Sequence, residues 1–345
     1  MKRLLLGAAM LLVLCQGTSQ AGMGLAELPG LSGDGPVTLF YPSNAPEGTL
    51  QRGPFVLSLA PDGAHQPGNG RLIVISHGSG GAPWVFTDLA RAMVEAGFVV
   101  ALPRHRGDNH MDPGTPGPPS WRQRPAEVSR AIDALAQHPM WSNRLSLDKV
   151  GVYGTSAGGH TALTLAGGRW SDAAFLRHCE AHLAADFSSC VGFVTRLQGN
   201  LWDPLKKAVA MGVLRQRFTD PTWHTHHDPR VAAALASVPF AADFDMASLA
   251  APRIPLGLAT ADGDINQVPR FHAQAVLAAC APCEHVVDLP RGGHGAYLSP
   301  LPPFKPGSIE AALLNDPPNF DRDALADAHR AMVGFFLRHL KGDNP

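Results

Sequence analysis

The chain has little charge of either sign and almost none left over. Only 17% of its 345 residues are Asp, Glu, Lys or Arg, and the formal net charge is -1. There is no long basic run, which argues against a nucleic-acid surface. Beyond the N-terminus no second apolar run reaches spanning length, so no stable membrane anchor is expected in the mature chain. Cysteine is scarce, at five residues. Cys280-Ala-Pro-Cys283 has no second Cys-x-x-Cys to pair with and no thioredoxin-like context, which favours a structural loop staple over a zinc or redox pair. No internal repeat is present.

What remains is an ordinary globular composition, 45% apolar, with 36 glycines and 31 prolines that imply many loops. The length suits one large α/β domain with an insertion. Met1-Lys2-Arg3, the apolar stretch Leu4 to Leu14 and the small-x-small site Ser19-Gln20-Ala21 read as a secretory signal peptide over residues 1–21. Cys15 invites a lipoprotein reading, but Leu14 before it is too large for that cleavage pattern. The expected location is periplasmic or secreted. Cleavage after Ala21 leaves four cysteines, and an even number in an exported chain favours disulfides. Of three possible pairings, the local one, Cys179 with Cys190 and Cys280 with Cys283, is the simplest.

The order of elements reads strand, helix, strand, helix. Residues 22–36 look like a loose Gly-rich lead-in, followed by strands at Val37 to Tyr41 and Phe55 to Ala60. Arg71 to Ser76 reads as a buried strand and Phe98 to Leu102 as the next. Between them Phe86, Leu89, Ala90, Met93 and Val94 share one face of a helix. A second helix is expected from about Pro125 to His138. Lys149 to Tyr153 and a helix over His160 to Ala166 follow. Strands resume at Val231 to Val238, Ile254 to Thr260 and Glu284 to Leu289, with helices near Val268 to Ala279 and Ala324 to Leu340. This pattern predicts an α/β fold with a mostly parallel sheet and helices on both faces. Residues 168–228 break the pattern and read as a largely helical, cap-like insertion within a domain spanning 22–345.

Gly154-Thr-Ser156-Ala-Gly158 lies between a strand and a helix. A nucleophile at so tight a turn needs small residues two positions to either side, because side chains there would collide with the turn. A serine hydroxyl also needs a base, and the base needs an orienting acid. His294, in a Gly-rich loop just after the last strand, is the candidate base. The acid should follow the preceding strand, where Asp262 and Asp264 both stand. Asp264 is favoured, because Gly263 suggests a turn that Asp262 would brace. Two backbone donors must hold the oxyanion. Ala157 follows the nucleophile, and Ser79 lies in the loop His77-Gly-Ser-Gly-Gly81.

With Leu72-Ile-Val-Ile-Ser-His-Gly-Ser-Gly-Gly81, Gly154-Thr-Ser-Ala-Gly158, Ala261-Asp-Gly-Asp264 and Gly292-Gly-His294 in view, the chain resembles the α/β-hydrolase superfamily. Within it, the chain is similar to exported bacterial proteins described as predicted dienelactone hydrolases, and to platelet-activating-factor acetylhydrolases. The resemblance covers about residues 37–340 outside the insertion. It implies a Ser156, His294, Asp264 triad with Ser79 and Ala157 as the oxyanion hole, acting on a small-molecule ester with no cofactor and no metal. Dienelactone hydrolases proper use cysteine where this chain has Ser156, which favours an ordinary ester. Relatives tend to show Asp-His after the fourth of these strands, where this chain has Arg104-His105. A serine peptidase on the same fold, or a binding protein that kept the fold, are the rival readings.

Other groups admit functional and plain readings. His224, His226 and His227 with Asp228 offer metal-ligand chemistry, but two are adjacent and no partner cluster accompanies them. Arg104, His105 and Arg106 suit a substrate carboxylate or, more simply, a salt-bridged loop. Trp202, Phe218 and Trp223 suit an acyl pocket or the insertion's own core.

Overall fold

The structure, a computed structural model, describes residues 22–31 and 33–341. The expected signal peptide lies outside the described residues. Ten strands form one sheet: β1 (Gly22–Leu28), β2 (Val37–Ser43), β3 (Gly48–Arg52), β4 (Phe55–Pro61), β5 (Leu72–Ser76), β6 (Val99–Pro103), β7 (Val150–Thr155), β8 (Val231–Ser237), β9 (Leu256–Ala261) and β10 (Glu284–Leu289). Their order across the sheet is β10-β9-β8-β7-β5-β6-β2-β1-β4-β3. From β10 to β6 every pair is parallel. β2 runs antiparallel to β6 and to β1, and β3 to β4.

The helices are α1 (Thr87–Glu95), α2 (Pro118–Gln137), α3 (Ala157–Leu165), α4 (Asp172–His182), α5 (Phe187–Cys190), α6 (Asp203–Arg217), α7 (Met246–Leu249), α8 (Ala273–Ala279), α9 (Ile309–Leu314) and α10 (Ala324–Lys341). They cover both faces, because the β5 run is apolar on each. Leu72 and Val74 pack with Val128, Ile132 and Leu135 of α2 and with Leu163 of α3. Ile73 and Ile75 join Leu89 and Met93 of α1 and Phe335 and Phe336 of α10 in the other core. The order reverses at β5: β6 lies on one side of it and β7 on the other. The crevice outside the C-terminal ends of such a pair is where open α/β sheets place ligands. The loop after β5 and the turn after β7 meet there, since Ser76 pairs with Gly154.

Three expectations need correction. The lead-in at 22–36 is not loose, because Gly22–Leu28 pairs with β2 along its whole length. Its glycine content hides a packing requirement, since a Cβ on Gly24 would overlap the Tyr41 ring. The segment between the strands expected at Val37 to Tyr41 and Phe55 to Ala60 contains a further strand, β3, whose residues are half-buried or exposed and so lack the apolar signal of a strand. The helix expected from Pro125 begins at Pro118, with prolines at its first positions and Pro125 inside it. Proline suits a helix start because its missing N–H has no partner there. At Pro125 the lost bond is offset by buried neighbours, Trp121, Arg124 and Val128.

Residues 168–228 hold α4, α5 and α6. Both local disulfides form, Cys179–Cys190 and Cys280–Cys283. Among the described residues no helix is long and apolar enough to cross a membrane.

Candidate active site

Ser156 sits at the turn between β7 and α3 with φ 55° and ψ -118°. A non-glycine residue there is strained by about 1–3 kcal/mol and persists only if its surroundings fix it. They do. The Ser156 N–H donates to Ser237 O at 3.1 Å, and its carbonyl accepts from His160 N at 3.0 Å and Phe240 N at 3.2 Å. A Cβ on Gly154 would overlap the Gly158 carbonyl, and one on Gly158 would overlap the Ser76 carbonyl. Both glycines are therefore required by the turn.

The loop after β10 brings His294 to Ser156. Ser156 Oγ lies 3.0 Å from His294 Nε2, and His294 Nδ1 lies 2.7 Å from Asp264 Oδ2. A carboxylate only accepts, so Nδ1 carries the proton and Nε2 is left to accept the Ser156 hydroxyl. The other Asp264 oxygen accepts the amides of Asn266 at 2.8 Å and Gln267 at 2.9 Å. Asp262 is exposed and takes the Arg291 amide instead. The two aspartates thus divide into one that faces the histidine and one that braces the turn.

Ala157 is the first residue of α3, where an N–H has no partner within the helix. The loop after β5 borders Ser156: a Cβ on Gly78 would stand 3.5 Å from Ser156 Cβ. Ser79, the second expected donor, is in this loop, and its hydroxyl donates to Asp108 Oδ2 at 3.1 Å.

That loop is held by a buried arginine the sequence did not single out, together with Asp108, His105 and His77. Arg124 of α2 is fully buried, donates to the His77 carbonyl, and pairs with Asp108 at 2.8 Å. Asp108 Oδ1 accepts the Gly80 amide at 3.0 Å. Burial works to raise the Asp108 carboxyl, but the Arg124 charge and the Gly80 bond outweigh it and hold it below its ordinary range. Beneath them, His105 bonds Ser76 Oγ at 2.8 Å and Glu127 at 2.5 Å. His77 donates through Nδ1 to Gly78 O and accepts the His105 amide at Nε2. Burial, then the neighbouring positive charges, lower both imidazoles well below their ordinary value. His105 is thus a buried neutral strut, and Arg104 is 3.5 Å from Glu27, in keeping with the salt-bridge reading.

A second omission is Gln267, buried beside Ser156 and Asp264. Its Nε2 is 3.4 Å from Ser156 Oγ, while its Oε1 has no partner. Neither Arg124 nor Gln267 carries a local signal: each matters through partners far away in sequence.

His224 meets Arg122, His226 meets Ser129 and Asp228 meets Arg230, so these side chains are directed to separate partners. Among the described residues no group of three or more His, Cys, Asp or Glu is placed to hold a metal ion. Phe218 packs on Phe175 at 5.0 Å, inside the insertion's core. Trp202 is exposed. Trp223 lines a groove of about 480 Å³ with Arg177, His182, Arg270 and Phe271. Ser156, Asp264 and His294 do not line that groove.

No protein-family model matches the chain, and no curated protein matches it.

Proposed function

We propose that the protein is an exported serine hydrolase of the α/β-hydrolase fold that cleaves carboxylic esters through an acyl-enzyme. The observation that carries this reading is the continuous chain Asp264–His294–Ser156, at 2.7 and 3.0 Å, standing on a strained turn. Such a chain makes a serine reactive: His294 takes the hydroxyl proton as Oγ bonds to the ester carbonyl carbon. The proton then passes to the leaving alcohol. In the second half water gives its proton to His294, attacks the acyl carbon, and Ser156 departs with the proton returned. The N–H of Ala157 and that of Ser79 are assigned to the negative oxygen of each tetrahedral intermediate. Two disulfides suit an oxidising compartment and support the periplasmic or secreted assignment.

The test is a fluorophosphonate probe on the mature protein, with peptide mapping of the label. Label on Ser156, lost in Ser156→Ala, is the expected result. A folded wild-type protein that takes up no label defeats the proposal. A profile over p-nitrophenyl esters of rising chain length, with a lactone and a phospholipid included, then defines the acyl group.

A further inference from the structure

Twelve large apolar side chains stand exposed among the described residues, and eight of them fall on three segments. Six lie between Val194 and Val213 of the insertion: Val194, Leu201, Trp202, Leu205, Val209 and Val213, with Leu201 97% and Trp202 66% exposed. The other two are Ile265, beside the acid loop, and Ile309, at the start of α9. Arg196 ties the three segments together. It donates to Asn266 Oδ1 at 3.1 Å and to the Ala312 carbonyl at 2.5 Å, while its own carbonyl accepts Lys206 at 2.8 Å. The same stretch reaches the candidate site, since the Phe193 ring lies 5.9 Å from that of His294.

The α6 helix is turned inside out relative to a core helix. At about 100° per residue, Trp202, Leu205, Val209 and Val213 share an arc of about 80° that faces away from the protein. Only Asp203 and Leu214, on the opposite side, are buried. Lys206 and Arg217 lie on one flank of the apolar arc and Arg215 on the other. The helix carries four basic side chains against the single acid Asp203; Lys206 bonds Asp203 at 3.2 Å and Arg215 pairs with Glu180 at 2.9 Å, so the surplus positive charge rests on Lys207 and Arg217. An outward apolar arc with a tryptophan, flanked by Lys and Arg, is the composition of a helix that lies in a lipid interface. Long basic side chains reach the headgroups while the apolar arc enters the acyl boundary.

We infer that α6 and the rim formed by Val194, Ile265 and Ile309 dock onto an anionic lipid surface, which brings the candidate site to esters carried by that surface. The substrate half of this inference rests on the hydrolase reading. A second copy of the chain is the poorer occupant, because a face-to-face dimer would set Lys206, Arg215 and Arg217 against their own images. It would also close the approach to His294. A surface that itself carries the substrate does not have that cost.

The experiment is co-sedimentation of the mature chain with vesicles of phosphatidylcholine and phosphatidylglycerol in equal parts, beside vesicles of phosphatidylcholine alone. Wild type should pellet with the mixed vesicles, and less with the neutral ones or in high salt. The double variant Leu205→Asp/Val209→Asp should bind at least about tenfold more weakly. Its turnover of p-nitrophenyl acetate should stay at the wild-type rate, while hydrolysis of an ester embedded in the vesicles falls with binding. Leu205→Ser/Val209→Ser provides the same comparison without added charge. Wild type that stays in the supernatant, or variants that pellet like wild type, overturn the inference. Equal binding to neutral vesicles removes the anionic assignment. A dimer on gel filtration that the double variant dissolves reassigns the face to self-association. Vesicle binding by a protein that hydrolyses no ester would leave the docking surface standing and defeat the hydrolase reading alone.

Discussion

At the scale of single residues, the acid position shows how one glycine separates two carboxylates. Asp262 and Asp264 flank Gly263 just beyond β9, and only Asp264 turns inward to His294. It is doing two jobs, because its second oxygen also holds the amides of Asn266 and Gln267. Asp264→Asn keeps most of the shape but can present its NH2 to His294, which favours the wrong tautomer. Turnover of a soluble ester should fall on the order of 10⁴-fold, as when a triad acid is neutralised in a serine protease. Asp262→Asn weakens a bond to the Arg291 amide and should cost roughly 1 kcal/mol of stability with turnover nearly kept. Steady-state kinetics and thermal melts on both variants decide it: an inactive, stable Asp262→Asn beside an active Asp264→Asn reverses the two roles. The pieces of the site that could be read from sequence were those whose requirement is local. Gly154, Ser156 and Gly158 lie within one turn, and His294 sits in a glycine loop directly after a strand. Arg124 could not be read this way, since an arginine inside a proline-bearing helix looks solvated until His77 and Asp108 are placed around it.

At the scale of elements, parallel strands were legible because burial on both faces writes a continuous apolar run, as in Leu72–Ser76 and Val99–Pro103. β1 and β3 were not, since one spends glycines on close packing and the other carries an edge of half-exposed polar residues. The link from α2 to the loop after β5 predicts its own sensitivity. Arg124→Met removes one partner of a fully buried pair and leaves Asp108 uncompensated, at a cost of about 3–5 kcal/mol. Where the variant still folds, Ser79 and Gly80 lose their anchor, so kcat should fall more than KM rises. Unchanged kcat in a destabilised variant would show that Arg124 serves stability alone. The insertion has a comparable link. Asp186, just before α5, accepts from His178 and His272, and Ser189 of α5 donates to the Asn266 carbonyl in the acid loop. Cys179–Cys190 binds α4 to this corner. Cys179→Ala/Cys190→Ala should cost about 3 kcal/mol by loop-closure entropy and also lower turnover, whereas Cys280→Ala/Cys283→Ala should cost about 2 kcal/mol and leave turnover intact. Chemical denaturation and kinetics of the two double variants separate these effects, and equal turnover in both would remove the insertion's role in supporting the acid loop.

At the scale of the whole molecule, the buried polar groups set how stability responds to acid, and they act in two ranges. His77 and His105 are held neutral in the folded state, first by burial and then by nearby positive charge. In the unfolded chain they take up protons near pH 6.5, so the stability they permit is present above about 6.5 and is lost as pH falls below it. Glu127, raised by burial, works against this trend, because folding makes it take up a proton earlier than it would in water. Burial raises Asp172 in the same way, but it also lowers His65, His110, His224, His226 and His329, so imidazoles outnumber carboxyls and the net slope between about pH 6.5 and 4.5 should remain downward. The second range belongs to depressed carboxylates. Burial works to raise Asp186, but its bonds from His178 and His272 prevail and bring it to about 2. Asp228 also lies at about 2, where the Arg230 contacts outweigh its burial. Their stabilisation is complete above the unfolded value near 4 and disappears as pH falls through about 2. Asp186, whose side chain is fully buried, should contribute about 2 kcal/mol of this loss. Denaturant unfolding from pH 8 down to 2 should therefore show a first decline beginning near 6.5 and a steeper one below 4. Replacing Asp186 with Asn should lower stability at neutral pH and flatten the lower step while leaving the upper one in place. A profile that is level down to pH 4.5 would mean that the buried histidines admit protons or water without cost, and that the packing around His77 and His105 is looser than their hydrogen bonds imply.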